Sequence, residues 1–537
     1  MEKAYQYIRN EFIAGINVWS ILSFGTCSVI FLPILLTFYN FNAASENWSH
    51  IKEHLLFSYF SSTLYLVIGV GTVSTIIGVG CAWFVTAYNF TGRKYVELIL
   101  ILPLTIPTYI AAYAYYDILE IFNPIFIWTK NTVGLESAVF IENIFVHIVV
   151  ILLFSFVLYP YIYLSSRASL LIQGSKAIEA ANTLGVSSDR LLQKVIIPLI
   201  RPAIVAGLSL VVMETLNDYA AVEYFGVSTL TIGIFRSWFG MYDMNAALRL
   251  STFLITFVFL ILALEKFTRQ GAKYDSIVSK TSFKRTELKG KSQMLIITFC
   301  LVPITLGFCI PVGRLLSWAL GPEVTFSNLN LIAITINTVA ISFFSSILIV
   351  MLAFLIVFSK NYFNNDPLKK ISQVATLGYS IPGAIIAIGI LKLSSAMEGF
   401  TSLLLIGSIS GLVFSYVVRF LAVAWQPIDS SMGKIGTNIN MALRTLNVRP
   451  VKSLLNVNYG VLKKPIFIAC LIVFIDISKE LPITLILRPF NFDTLSTLTY
   501  DLVNQAQFYQ SSIPSLIIIS ISLPAILLIK NQMDKGT

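Results

Sequence analysis

Two short groups of ionisable residues stand inside stretches that are otherwise apolar: Glu214, Asn217 and Asp218, and much further on Asp476, Lys479 and Glu480. Glu214 and Asp218 are four residues apart, as are Asp476 and Glu480, so on a helix each pair shares one face. An acid at mid-bilayer costs on the order of 3 kcal/mol on insertion scales, and it survives only against a partner or a wet cavity. Two chemistries fit. The carboxylates could line a hydrophilic path, where they suit a hard trivalent cation better than an anion. Alternatively they lock helices together, Lys479 pairing with an acid and Asn217 bonding a carbonyl. In both cases the two groups are expected to face one another.

Other chemistry finds little support. Cys27, Cys81, Cys300, Cys309 and Cys470 all fall in apolar runs, and His50, His54 and His147 are scattered; neither set has metal-ligand spacing. Gly290-Lys291-Ser292 imitates the end of a nucleotide-binding loop, but Arg285 occupies the place of its first glycine. No catalytic residue and no fixed metal ligand is expected, which disfavours a membrane-embedded enzyme.

The elements that must position these residues follow from composition. The chain has 537 residues, 56% of them hydrophobic and 12% charged, where a soluble domain carries about a quarter charged. Mean hydropathy is +0.80. Soluble globular and disordered chains are excluded. Apolar runs of about 20 residues, the length a helix needs to cross a bilayer, recur near 17–39, 58–88, 95–119, 140–165, 199–223, 250–267, 293–319, 332–358, 371–395, 402–425, 465–488 and 512–530. An all-α polytopic membrane protein of about twelve transmembrane helices is expected. The polar start, Met1 to Phe12, reads as the flank of an uncleaved signal anchor.

Lys273, Lys280, Lys284, Arg285, Lys289 and Lys291 mark a basic linker at 269–292, dividing the chain into repeats at 1–268 and 293–537. Each repeat has six spans, so the two share one orientation, with an axis along the membrane normal and a path at their interface. Leu102-Pro103-Leu104-Thr105-Ile106-Pro107 and Leu377-Gly378-Tyr379-Ser380-Ile381-Pro382 open the third and ninth spans alike. Their prolines should kink or unwind those spans. Tyr109, Tyr113, Tyr115 and Tyr116 fit an interfacial aromatic belt, with some of them lining the path as the alternative. Loops after even-numbered spans carry nearly all the Lys and Arg, including Arg93, Lys94, Arg167, Lys176, Arg190 and Lys194. Both termini are therefore expected in the cytoplasm. The +10 net charge is then a matter of topology and gives no evidence for nucleic acid.

The loop near 175–202 contains Glu179-Ala180-Ala181, then Gly185, then Ile197-Pro198. Helix formers precede Gly185, which ends or turns the helix, and the proline marks re-entry into the membrane. A small Ala-rich face beside one acid suits docking into a protein groove. This loop resembles the EAA loop of ABC-transporter permeases. Met213-Glu214-Thr215-Leu216-Asn217-Asp218-Tyr219, Tyr224-Phe225-Gly226-Val227 and Lys479-Glu480-Leu481-Pro482-Ile483-Thr484 resemble the ferric-iron importer branch, which fuses two six-span units in one chain.

The resemblance implies a permease subunit of the plasma (inner) membrane that works by alternating access, with ferric iron as cargo; thiamine, sulfate, polyamine or phosphonate import are alternatives within the class. It implies two copies of a cytoplasmic ABC ATPase, which uses ATP and Mg, and an extracytoplasmic substrate-binding protein, with no cofactor in this chain. Glu179, Ala180, Ala181, Gly185 and Pro198 would couple to the ATPase. The second loop, near 433–465, departs from the pattern: Met441, Ala442 and Asn447 stand where Glu179, Ala180 and Gly185 stand in the first. A weaker second contact is expected. An ion-coupled secondary transporter would explain the intramembrane acids but leave the loop unexplained.

Overall fold

The computed structural model describes residues 18–115, 117–171, 181, 183, 191–269, 285–322, 330–363, 366–397, 406–435, 443, 446 and 448–534. Within these, nine helices are long and apolar enough to cross a membrane, or eleven spans if each of two sharply bent pairs is one span. The helix Tyr459–Ser478 stands apart from those eleven because it carries Lys463, Lys464 and Asp476 within 20 residues. Two-residue strands, Tyr88–Asn89 and Thr286–Glu287, pair in parallel and fasten the end of the linker to the first repeat.

The bent pairs are the third and ninth spans of the sequence count. Arg93–Thr105 meets Thr108–Ala114 at 92°, and Leu368–Ser380 meets Gly383–Ala396 at 113°. Pro107 and Pro382 sit in the two breaks, where a residue without an N–H cannot continue the helical ladder. Spans five and eleven end earlier than their hydropathy suggests, at Asn217 and Ser478. Asp218 is extended, with ψ of 125°, and short helices follow: Ala220–Tyr224 and Leu230–Phe235 in the first repeat, Pro482–Leu487 and Leu495–Asn504 in the second.

The repeats match down to single hydrogen bonds. Gly226 and Asn491 both adopt left-handed backbone, with φ of 71° and 60°, a conformation that glycine and asparagine tolerate best. Thr229 and Thr494 then cap the next short helix with their hydroxyls. Leu230 N donates to Thr63 Oγ1 at 3.0 Å, and Leu495 N to Thr338 Oγ1 at 2.8 Å. Between the first two spans, the chain is clamped to the start of Met244–Arg269: Arg249 donates to Phe41 O and Ala43 O. Burial raises the pKa of the Asp243 carboxyl, but bonds from Ala246 N, Ser45 Oγ and Asn47 outweigh it and hold the group below its usual range.

Each repeat's first span packs on the other repeat. Val18–Tyr39 lies against Gly383–Met397, and Ile310–Ala319 against Thr108–Ala114. The first crossing is tight. A Cβ on Gly389 would come within 2.6 Å of Pro33 O, a backbone atom that cannot yield without moving the helix. Gly389→Val should therefore destabilise the chain by roughly 1–3 kcal/mol, the usual cost of overpacking. Gly313→Ala, where an added Cβ meets nothing within 4 Å, should leave thermal unfolding of the purified protein unchanged. Equal melting of the two variants would remove the claim that this crossing is close-packed.

Candidate translocation site

Glu214 and Asn217 occupy the last turn of Ile197–Asn217, and Asp476 the last turn of Tyr459–Ser478. The bends of the third and ninth spans open a gap beside these helix ends. There, Glu214, Asn217, Asp218, Asp476, Lys479 and Glu480 all line one cavity of about 70 Å³, together with Tyr109, Tyr161 and Arg419. That volume holds a few water molecules.

The equivalent acids of the two repeats fall into two kinds. Asp218 and Glu480 are buried, 8% and 5% exposed, and each turns into the short helix that follows it. Asp218 Oδ1 accepts from Ala221 N at 2.8 Å and its other oxygen from the Thr108 hydroxyl. Glu480 accepts from Ile483 N at 3.0 Å and from Thr484 N at 3.1 Å. These two hold the chain reversal in place. Glu214 and Asp476 remain partly accessible. Glu214 Oε1 accepts from Tyr379 OH of the second repeat at 2.8 Å, and Lys479 Nζ lies 3.3 Å from Asp476 Oδ1.

Asn217 makes no bond to a carbonyl among the described residues, although its amide hydrogens would have allowed one. Its own Oδ1 accepts instead, from Gly383 N at 2.8 Å and from Arg419 Nη1 at 2.6 Å. Arg419 also faces Glu480 Oε1 at 3.4 Å. One guanidinium thus ties the fifth, tenth and eleventh spans across the repeat boundary. The belt reading of the tyrosines is corrected, and its alternative, a tyrosine lining the path, fits Tyr109. Tyr109 and Tyr113 are buried, and Tyr109 lines the cavity, so they form no interfacial belt. The helix Thr108–Ala114 turns inward at its 92° bend and carries them with it. Tyr115 donates to Leu306 O at 2.5 Å; Tyr116 lies outside the described residues.

A second cavity, about 870 Å³, shares Leu104, Tyr161, Asp476 and Lys479 with the first. It runs back along the helices past Met213, Leu210 and Ala206 toward Arg167, Glu265 and Asp429. The small cavity thus adjoins a wide vestibule on the side where the fifth and eleventh spans begin, with the four shared side chains between them. Lys360 bonds Asp429 at 2.7 Å near its mouth.

Of the proposed docking residues, Glu179, Ala180, Gly185, Met441, Ala442 and Asn447 lie outside the described residues. Ala181 is buried in a helical turn. Pro198 is exposed in the first turn of Ile197–Asn217, after the wide turn Leu192–Ile196.

Residues 74–265 match the family described as binding-protein-dependent transport system inner membrane component. That segment holds Glu214, Asn217, Asp218 and the first loop. An Fe(3+)-transport system permease protein of Haemophilus influenzae is 24% identical over 524 residues, covering 94% of this chain and 97% of its own. Sulfate transport system permease proteins of Escherichia coli and Salmonella typhimurium are 24% and 23% identical over 211 residues, each covering 38% of this chain and 73% of their own. A relative similar over nearly the full length, a matched first repeat and a second repeat that copies its hydrogen bonds agree: the chain is similar throughout to inner-membrane permeases of binding-protein-dependent transport systems.

Proposed function

We propose that the chain is the translocation subunit of an ATP-driven ferric-iron importer, working by alternating access with two copies of a separate ATPase and an external binding protein. The observation that carries this reading is the cavity where the repeats meet. It gathers four carboxylates against two cationic side chains, Arg419 and Lys479, and it has room for a small ion with a few waters. The small cavity is a poor fit for the bulk of thiamine, and the excess of acid opposes sulfate. The full-length relative is an iron permease.

The basic loops would put the large cavity on the cytoplasmic side, so this conformation faces inward, with both termini in the cytoplasm. Glu214 and Asp476 then belong to the path, and Asp218 and Glu480 to the frame. Lys479 neutralises Asp476 while no cation is present. The test is uptake by proteoliposomes holding the chain, its ATPase and its binding protein, offered labelled ferric iron or labelled sulfate in parallel. Iron should accumulate and sulfate should not; the reverse would overturn the cargo.

Within this reading Glu214→Gln should lower iron uptake about tenfold or more, a loss of at least ~1.4 kcal/mol of cation stabilisation. Folded yield should stay near wild type, because the amide oxygen can still accept from Tyr379. Unchanged uptake would remove Glu214 from the path.

A further inference from the structure

Beyond the small cavity, on the side away from the vestibule, the repeats meet at three oxygen-bearing side chains. Tyr219 OH donates to Glu223 Oε1 at 2.5 Å, and Tyr500 OH donates to Glu223 Oε2 at 2.8 Å. The two phenol oxygens are 3.3 Å apart. Tyr219 lines the small cavity, and its ring stacks on Phe235 with centroids 3.6 Å apart. Tyr219 and Glu223 come from the first repeat and Tyr500 from the second.

Three features of this cluster go beyond packing. Phenolate and carboxylate oxygens are hard donors, suited to a small, highly charged ion. An octahedral ion with bonds of about 2.0 Å holds neighbouring oxygens about 2.8 Å apart. Here the two phenol oxygens lie 3.3 Å from each other, each bonded to a different oxygen of the same carboxylate. A small closure brings both phenols and one carboxylate oxygen to that spacing. The cluster also reaches the cavity through Tyr219 and joins the halves, so whatever breaks its hydrogen bonds loosens the contact between them.

We propose that Tyr219, Glu223 and Tyr500 form an entry site for a trivalent cation, whose three oxygens bind the ion in place of their mutual hydrogen bonds. The inference rests on the cargo proposed above. As the ion arrives, two phenol O–H bonds break, two oxygen–metal bonds form, and the two protons pass to water. The carboxylate binds as the anion and no electron is transferred. When the ion moves inward to Glu214 and Asp476, water returns the protons, the hydrogen bonds re-form and the halves close behind it.

The experiment titrates the full-length chain in lipid nanodiscs with ferric nitrilotriacetate and reads the visible tyrosinate-to-iron charge-transfer band. Wild type should develop the band. Tyr219→Phe with Tyr500→Phe, which keeps both rings, should abolish it, and Glu223→Gln should weaken apparent affinity tenfold or more. No band in wild type, or a full band in the double variant, overturns the site, and the wild-type arm does not depend on any variant folding. The two proposals fail separately. Iron uptake by the assembled transporter without a band overturns the site and leaves the cargo standing. A band without iron uptake supports the site and counts against the cargo.

Discussion

Arg419→Met is expected to remove most of the folded protein from the membrane. Arg419 is 4% exposed and Glu480 5%, and their contact is the ion pair given for Glu480. Taking away one partner of a buried pair costs roughly 3–5 kcal/mol, because the other charge is left uncompensated. The loss here is larger in kind, since Arg419 Nη1 also occupies Asn217 Oδ1. The double variant Arg419→Met, Glu480→Gln should recover part of it. Glutamine keeps one carbonyl oxygen for the amides of Ile483 and Thr484 and buries no charge. Detergent-extracted yield and melting temperature measure both, and the cycle of single and double variants isolates the coupling. A single Arg419→Met variant as abundant and as heat-stable as wild type would show that the pair holds nothing together.

Charge reversal at Glu179, or a bulky residue at Gly185, is expected to abolish transport while membrane insertion and folded yield stay near wild type. The first change would turn the proposed acidic docking face basic in a loop that already carries Lys176, Arg190 and Lys194. The second would block the turn proposed at Gly185, which favours a residue free of Cβ strain. ATP hydrolysis by the assembled complex should persist but no longer respond to the loaded binding protein. Equivalent changes at Met441 and Asn447 should be mild, because that loop has no acid to lose and asparagine already tolerates left-handed backbone. Equal damage from both loops would remove the proposed asymmetry.

The intramembrane acids were legible in the sequence because each interrupts an apolar run at helical spacing, and the bends because proline removes a ladder donor. The division of the acids into two kinds was not legible. Glu214 and Asp218 look alike on a helix that continues to 223, and only the break after Asn217 turns Asp218 away to serve the next helix. Arg419 was missed although the signal was present: a guanidinium between Val418 and Phe420 in an apolar run is as costly as an acid, so it called for a partner in the same way. Tyr379 and Tyr500 carried no signal at all. Aromatic residues are common in such chains, and their hydroxyl partners lie 165 and 277 residues away, a separation that periodicity cannot span.

The exchange of first spans bears on how the chain is made. Val18–Tyr39 leaves the ribosome before the surface it packs on, Gly383–Met397, which is synthesised more than three hundred residues later. Until then that helix rests on its contact with Met244–Arg269 of its own repeat, where Phe38 stacks on Phe259. Joining the repeats in one polypeptide holds the late partner near the waiting helix at high effective concentration. A chain severed within the linker would have to find that contact by diffusion in the plane of the membrane, in competition with degradation of the unpaired half.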